Sequence, residues 1–430
     1  MKPADWRTPV LFFLILAAVF FATNWAAYSG YFADDDFANM GWPTFVGNDV
    51  FIHGLYTPVY SGSHFRPVGF AFFRYAGRAF DLNFPPYVLL IQWIHLLNAV
   101  LVYFLLRRFA FSREASFAGT AFYALYAVAM EVYWEPMFVF DLLCATFCLL
   151  TLLLYVRGWW IAGVATFWLA YKSKELAVML PVVLAACEFW IGKRQWWRLV
   201  PYFAISLSFG LQALWFNAHL DPTHGYALHF TASALWETVS AYSSELFFIP
   251  YAGFALVLLL LVRDRRVWIG LLLVASTFLP LLWLNNRAAA AYWYVPMIGL
   301  AIATAAVAER TPRRVLVAIA ICMLPVNYML VRAKGRELLA LDAERRAYIA
   351  ALQTYARTVP KLRAVVYEHV PEHMYSWGVE DGITKVFGWG ITVVPAADPR
   401  AKEARAQVPM AVISYDPVRR EIQGTLRTEK

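Results

Sequence analysis

Three adjacent carboxylates, Asp34-Asp35-Asp36, open the chemical inventory. They repel one another, so some should hold their protons unless a cation is close, and a carboxylate in that state suits general-base work. Their bland reading is a solvated loop start. Lys172-Ser173-Lys174-Glu175 interrupts two short apolar segments, and two lysines there would suit a phosphate; an exposed hairpin with extended lysines is the plain alternative. Glu131 and Glu135 flank an outer turn, and Asp141 lies inside an apolar stretch, where a structural hydrogen bond competes with a chemical role. Arg287 precedes Tyr292-Trp293-Tyr294 and could simply anchor an aromatic belt. His64 and Arg66, in His64-Phe65-Arg66-Pro67, raise the same choice. His53, His64, His224 and His229 match no metal-ligand spacing.

The chain that must position these groups is apolar. Of 430 residues, 61% are hydrophobic, 17% aromatic and 15% charged, far from the quarter charged that is typical of soluble domains. Eleven segments are candidates to span a membrane: 9–28, 86–106, 115–130, 137–156, 159–171, 176–190, 199–216, 242–262, 267–284, 293–308 and 315–331. Several fall short of about 20 residues, 159–171 most clearly. Basic loops around Arg107, Arg108 and Arg113, Lys193, Arg194 and Arg198, Arg263, Arg265 and Arg266, and Arg310, Arg313 and Arg314 recur at alternate connections and so fall on one side. With Arg157 between them, they place the N-terminus in the cytoplasm and residues 30–85 and the tail outside it.

These loops account for most of the net charge of +8. They form no basic stripe on a soluble domain, so nucleic acid is not an expected partner. Cys144, Cys148, Cys187 and Cys322 all lie in apolar segments and suggest no disulfide framework. Residues 1–331 read as a helical membrane bundle that includes the outer loop 30–85. Residues 332–430 read as a small extracytoplasmic α/β domain: a helical pattern runs from Leu338 to Tyr355, Pro360 ends it, and β-like runs follow at 364–367, 385–394, 410–415 and 419–422.

The ordered motifs resemble the C-type glycosyltransferase superfamily, multi-spanning enzymes that take a sugar from a polyprenyl phosphate, and within it the protein O-mannosyltransferase-like branch and its bacterial relatives. The resemblance rests on Asp35-Asp36-Phe37, Phe65-Arg66-Pro67-Val68, His95-Leu96-Leu97-Asn98, Tyr103 to Arg108, Glu131, Asp141-Leu142-Leu143, Ser173-Lys174-Glu175 with Leu180-Pro181, and Arg287 with Tyr294-Val295-Pro296 and Gly299. It departs from the branch at Tyr126-Ala127 and Val139, and no tetratricopeptide repeats follow.

The resemblance implies Asp35 or Asp36 as general base in an inverting transfer. It implies Lys174 and Arg287 as stabilisers of the departing phosphate, with Asp34, His64, Arg66, Glu131, Asp141, Lys172, Glu175 and Tyr294 as further substrate-binding residues. The implied partners are a polyprenyl-phosphate sugar, a glycan, lipid or protein acceptor, and membrane lipid, in the cell inner membrane. No cofactor is expected, although three adjacent aspartates could recruit a divalent cation. A transporter or flippase is the rival reading, but it would more often show repeated halves and broken helices at the midplane.

Overall fold

A computed structural model describes residues 6–61, 65–221, 224–284 and 287–429. Among the described residues, five helical stretches are long and apolar enough to cross a membrane: α1 (Arg7–Asn24) with the 3-10 turn after it, α5 (Phe84–Arg108), α7 (Val139–Val156) with the turn before it, α10 (Val200–Asn217) with the turn before it, and α14 (Arg313–Ala356). Two bent pairs raise the number to seven. In one, α6 (Arg113–Leu125) meets the 3-10 turn Ala127–Tyr133 at 61°; in the other, α11 (Ala232–Phe247) meets Ala252–Leu261 at 85°. The second bend falls inside the expected segment 242–262, where Phe248 and Tyr251 adopt positive φ on either side of Pro250. Proline supplies no N–H to carry the helix onward. The remaining expected segments fall on shorter helices: α8 (Trp160–Ser173), α9 (Leu180–Trp190), α12 (Arg265–Phe278) and α13 (Pro296–Ala308).

The basic loops share one end of the bundle. Arg266 bonds Asp264, Glu309 and the carbonyl of Phe109, Arg310 reaches Asp264, and Arg265 reaches the carbonyl of Trp190. At the other end, the segment read as the outer loop 30–85 is largely helical: α2 (Asp34–Phe45), α3 (Asn48–Tyr56) and α4 (Pro67–Phe80). Its sequence carries the start signals for this. The aspartates fill the first turn of α2, where the helix dipole favours anions, and Pro67 occupies the first turn of α4.

The expected boundary at residue 331 falls inside α14, which runs 44 residues from the bundle into the C-terminal unit without a break. That unit holds one four-stranded sheet in the order β2-β1-β3-β4, with β1 (Ala364–Tyr367) parallel to β2 (Thr392–Pro395) and β3 (Met410–Asp416), and β4 (Glu421–Arg427) antiparallel to β3. The expected strand 385–394 is a correction. Ser376–Phe387 forms helix α15, whose buried Gly378, Val379, Gly382 and Ile383 follow a helical period, and Gly388 at φ +106° ends it. A short helix, α16 (Ala401–Ala404), lies between β2 and β3. Sheet residues Val365, Ala411 and Ile413 belong to the same buried cluster as the bundle.

Candidate active site

The three aspartates of α2 are adjacent in sequence and meet three different environments. Asp34 is buried and accepts bonds from Arg345 Nη2 at 3.2 Å and from the backbone N–H of Tyr375 at 3.1 Å. Tyr375 immediately precedes α15, so Asp34 caps that helix from another element. Gly378 is required for this approach, because a Cβ there would stand 2.0 Å from Asp34 Oδ1. Burial raises the Asp34 carboxyl above its ordinary value, while Arg345 and the Tyr375 N–H oppose the rise.

Asp36 is fully buried. Its Oδ2 accepts the N–H of Ala33 at 2.8 Å, whereas Oδ1 is enclosed without a partner. Burial lifts its carboxyl well above the carboxylate range, with a further push from Asp35 against the opposing Ala33 bond. A proton on Asp36 removes the cost of an uncompensated buried charge. Asp35 alone is exposed, and its Oδ1 accepts the indole N–H of Trp377 at 2.9 Å.

Arg345 ties this acidic turn to α14. Its Nη1 bonds Asp342 at 3.0 Å, and Asp342 Oδ2 accepts the N–H of Tyr31 at 3.0 Å. Glu135 is buried within electrostatic reach of Asp36, Asp342 and Arg345. Sequence reasoning did not single out Arg345, Asp342, Tyr375 or Trp377. The one available signal was the i,i+3 opposite charges of Asp342 and Arg345 in a helical pattern, and in a polar tail that pattern reads as a solvated face.

The basic side residues sit where the backbone leaves α8. Lys174 is extended, at φ −162° and ψ 146°, between α8 and the 3-10 turn Glu175–Met179. Its ammonium meets both oxygens of Asp141 at 2.7 Å, and both side chains are buried. The ring of Tyr292 lies 4.6 Å from the same ammonium. Arg66 pairs with Glu175 at 2.8 Å and lies 5.6 Å from the Phe140 ring. Lys172 donates to the carbonyl of Thr57 at 2.7 Å beside the Trp168 ring, and Arg287 lies 3.8 Å from the ring of Tyr226. Arg66, Lys172 and Glu175 line one small cleft with Tyr60 and Tyr171.

The expected cations therefore separate into two kinds. Lys174 and Arg66 are each neutralised by a carboxylate. Among the described residues, Lys172 and Arg287 have no carboxylate partner, so their charge is available to a ligand.

Two expected substrate contacts are turned elsewhere. The Tyr294 hydroxyl is buried against His95 Nδ1 at 2.8 Å and Asn98 Nδ2 at 3.2 Å, and Asn98 Oδ1 accepts from Thr146 at 2.7 Å. That network holds α5, α7 and the start of α13 together. Glu131 pairs with Lys334 of α14 at 3.1 Å. His64 lies outside the described residues. An aromatic chain joins the acidic and basic groups: Trp42 of α2 to Phe65 at 5.1 Å, Phe65 to Phe70 at 5.6 Å, and Phe70 to Phe140, beside Asp141, at 5.2 Å. Among the described residues no group of three or more His, Cys, Asp or Glu could hold a metal ion.

The membrane bundle thus carries an acidic turn after its first helix, bonded to the small C-terminal unit at Arg345, Tyr375 and Trp377. Among solved structures the chain is similar to the archaeal oligosaccharyltransferase AglB from Archaeoglobus fulgidus in complex with an inhibitory peptide and a dolichol-phosphate. The TM-score is 0.59 at 13% identity, covering 96% of this chain and 70% of that one. It is also similar to ArnT from Cupriavidus metallidurans in the apo state, with a TM-score of 0.56 at 15% identity, covering 97% of this chain and 94% of that one. At these identities the likeness is one of fold. No protein-family model matches the chain, and no curated protein sequence does.

Proposed function

We propose that this protein is a membrane glycosyltransferase that moves one sugar, with inversion, from a polyprenyl-phosphate carrier to a hydroxyl of a glycan, lipid or protein acceptor outside the cytoplasm of the inner membrane. The observation that carries the reading is the sorting of the three aspartates. Asp34 is spent on Arg345 and α15, Asp36 is enclosed and favours its proton, and Asp35 is the one carboxylate of the turn that meets solvent. The shared fold with an enzyme solved with a dolichol-phosphate supports the donor class.

In this mechanism Asp35 takes the proton of the acceptor hydroxyl as its oxygen attacks the anomeric carbon. The carbon–oxygen bond to the carrier phosphate breaks, and its electron pair leaves on the phosphate. Lys172 and Arg287 stabilise that charge, an electrostatic contribution that is usually the largest in such reactions. Arg66, already paired with Glu175, lines the cleft beside Lys172, and Lys174 stays bound to Asp141.

The test is transfer from a labelled polyprenyl-phosphate sugar by the purified protein in proteoliposomes. Asp35→Asn should abolish most of the transfer and leave folding intact. Full activity in that variant removes the assigned base. Movement of label across the vesicle wall with no new glycosidic bond would establish a transporter instead.

A further inference from the structure

Beside Asp35 the C-terminal unit presents two aromatic rings that contribute little to the core. Tyr375 and Trp377 lie parallel, at 3° between planes and 4.4 Å between centroids, and remain 61% and 46% exposed. Two anchors fix the pair. The backbone N–H of Tyr375 is held by Asp34, and the indole N–H of Trp377 is held by Asp35. Stacked face to face, the rings leave one outer apolar face each, and the indole edge is bonded to the one exposed carboxylate of the acidic turn. Glu380 and Asp381 follow on the same helix, and Asp35 lies within electrostatic reach of Asp381.

This combination discriminates among ligands. The carboxylates accept hydrogen bonds and donate none when ionised, so they repel phosphate and acidic peptides. An acyl chain would cover the rings and leave those carboxylates without donors. A pyranose ring satisfies both features, with the C–H bonds of one face against the aromatic surface and hydroxyls donating to the carboxylates.

We infer that the stacked pair of Tyr375 and Trp377 is the platform of an acceptor sugar, whose ring rests on an outer face of the pair with the hydroxyl to be glycosylated turned toward Asp35. The inference deepens the glycosyltransferase reading and rests on it. Of the three acceptor classes it selects a glycan. A polypeptide acceptor would find partners for its N–H groups on the same carboxylates, but its C=O groups would meet two ring faces that donate nothing.

The experiment is saturation-transfer NMR on the full chain in lipid nanodiscs with cellotriose, maltotriose, mannotriose and chitotriose as probes and trilysine as a control. At least one trisaccharide should receive saturation from the protein. Tyr375→Ala and Trp377→Ala should each weaken that signal by about tenfold, whereas Trp377→Phe, which keeps the face and loses the indole bond, should retain most of it. Near-UV circular dichroism confirms that the variants fold; Tyr375→Ala keeps the backbone N–H that Asp34 uses.

In the transfer assay with a glycan acceptor, Tyr375→Ala should raise KM and leave kcat nearly unchanged. Saccharide signals that are absent, or equal in wild type and alanine variants, would overturn the platform, as would binding of trilysine alone. Sugar binding that responds to these variants in a protein that transfers nothing would uphold the platform while the transferase reading failed.

Discussion

At the residue scale, the informative charges are those whose partners are already fixed, because they show which neighbours remain free for chemistry. Asp35→Asn should lower kcat by about two to four powers of ten, the usual contribution of a positioned base. Asp36→Asn should keep most of the activity, since the native carboxyl at that position favours its neutral form. Equal loss in the two variants, measured as initial transfer rates, would contradict this division. Lys174 makes a different prediction. Lys174→Met leaves Asp141 buried and unpaired, a loss of about 3–5 kcal/mol, and the double change Lys174→Met with Asp141→Leu should recover much of that stability in thermal unfolding. A catalytic Lys174 would instead leave the double variant stable and inactive.

Burial, joined by Glu380 and Asp35, raises the Asp381 carboxyl to about 6. Its contribution to stability is therefore full below the ordinary value of 3.8 and is lost as pH climbs through about 6. Asp381→Asn should flatten the melting temperature between pH 4 and pH 7, and an unchanged slope would refute the assignment. Most of these groups were legible in the sequence because an ionisable residue stands out in an apolar chain. Arg345 was not, since it lies among many charges in the tail, and nothing local reveals that it faces Asp34 more than three hundred positions away.

At the element scale, the acidic turn and α15 depend on one another. Gly378→Ala would drive a methyl group into Asp34 Oδ1. The strain should cost about 1–3 kcal/mol and loosen α15 from α2, and proteolysis within residues 376–390 should quicken while the bundle stays intact. A variant as resistant as wild type would show that Asp34 yields without consequence. A second contact of the same kind is Gly41, where a Cβ would meet the Trp389 ring at 1.6 Å. The strands β1 and β3 were legible from their Val and Ile content. The helix α15 was not, because Lys385 to Val394 reads as β-branched when the glycines that end the helix at Gly388 and Gly390 are passed over. The helices of residues 30–85 were hidden by a composition that suggests a loop, although each starts with the residues that open helices.

At the scale of the whole molecule, the expected alternation of basic loops has a physical counterpart in the Asp264, Arg266, Glu309 and Arg310 cluster at one end of the bundle. Cysteine placed at Val418, which is 91% exposed, should react with a membrane-impermeant maleimide in intact spheroplasts, and cysteine at Lys193 should react only after lysis. The reverse pattern would invert the topology. Hydropathy showed that the chain is a membrane bundle and gave eleven segments. The structure resolves those segments into five long helices, two bent pairs and several short pieces, because apolar length in sequence does not report where a backbone bends.

The helix α14 carries a last consequence. Forty-four residues of uninterrupted helix make a rod about 66 Å long, and Lys334 and Arg345 project from it to Glu131 and Asp34. Because each residue turns the rod by about 100°, the acidic turn is in phase with the bundle only at this count. One residue more or fewer between Lys334 and Arg345 would swing the guanidinium away from Asp34 and turn the following residues of the helix, Arg346 among them, away from their partners as well. The spacing along that stretch is therefore a quantity the protein must conserve as strictly as any side chain, a gear tooth count instead of a chemical identity.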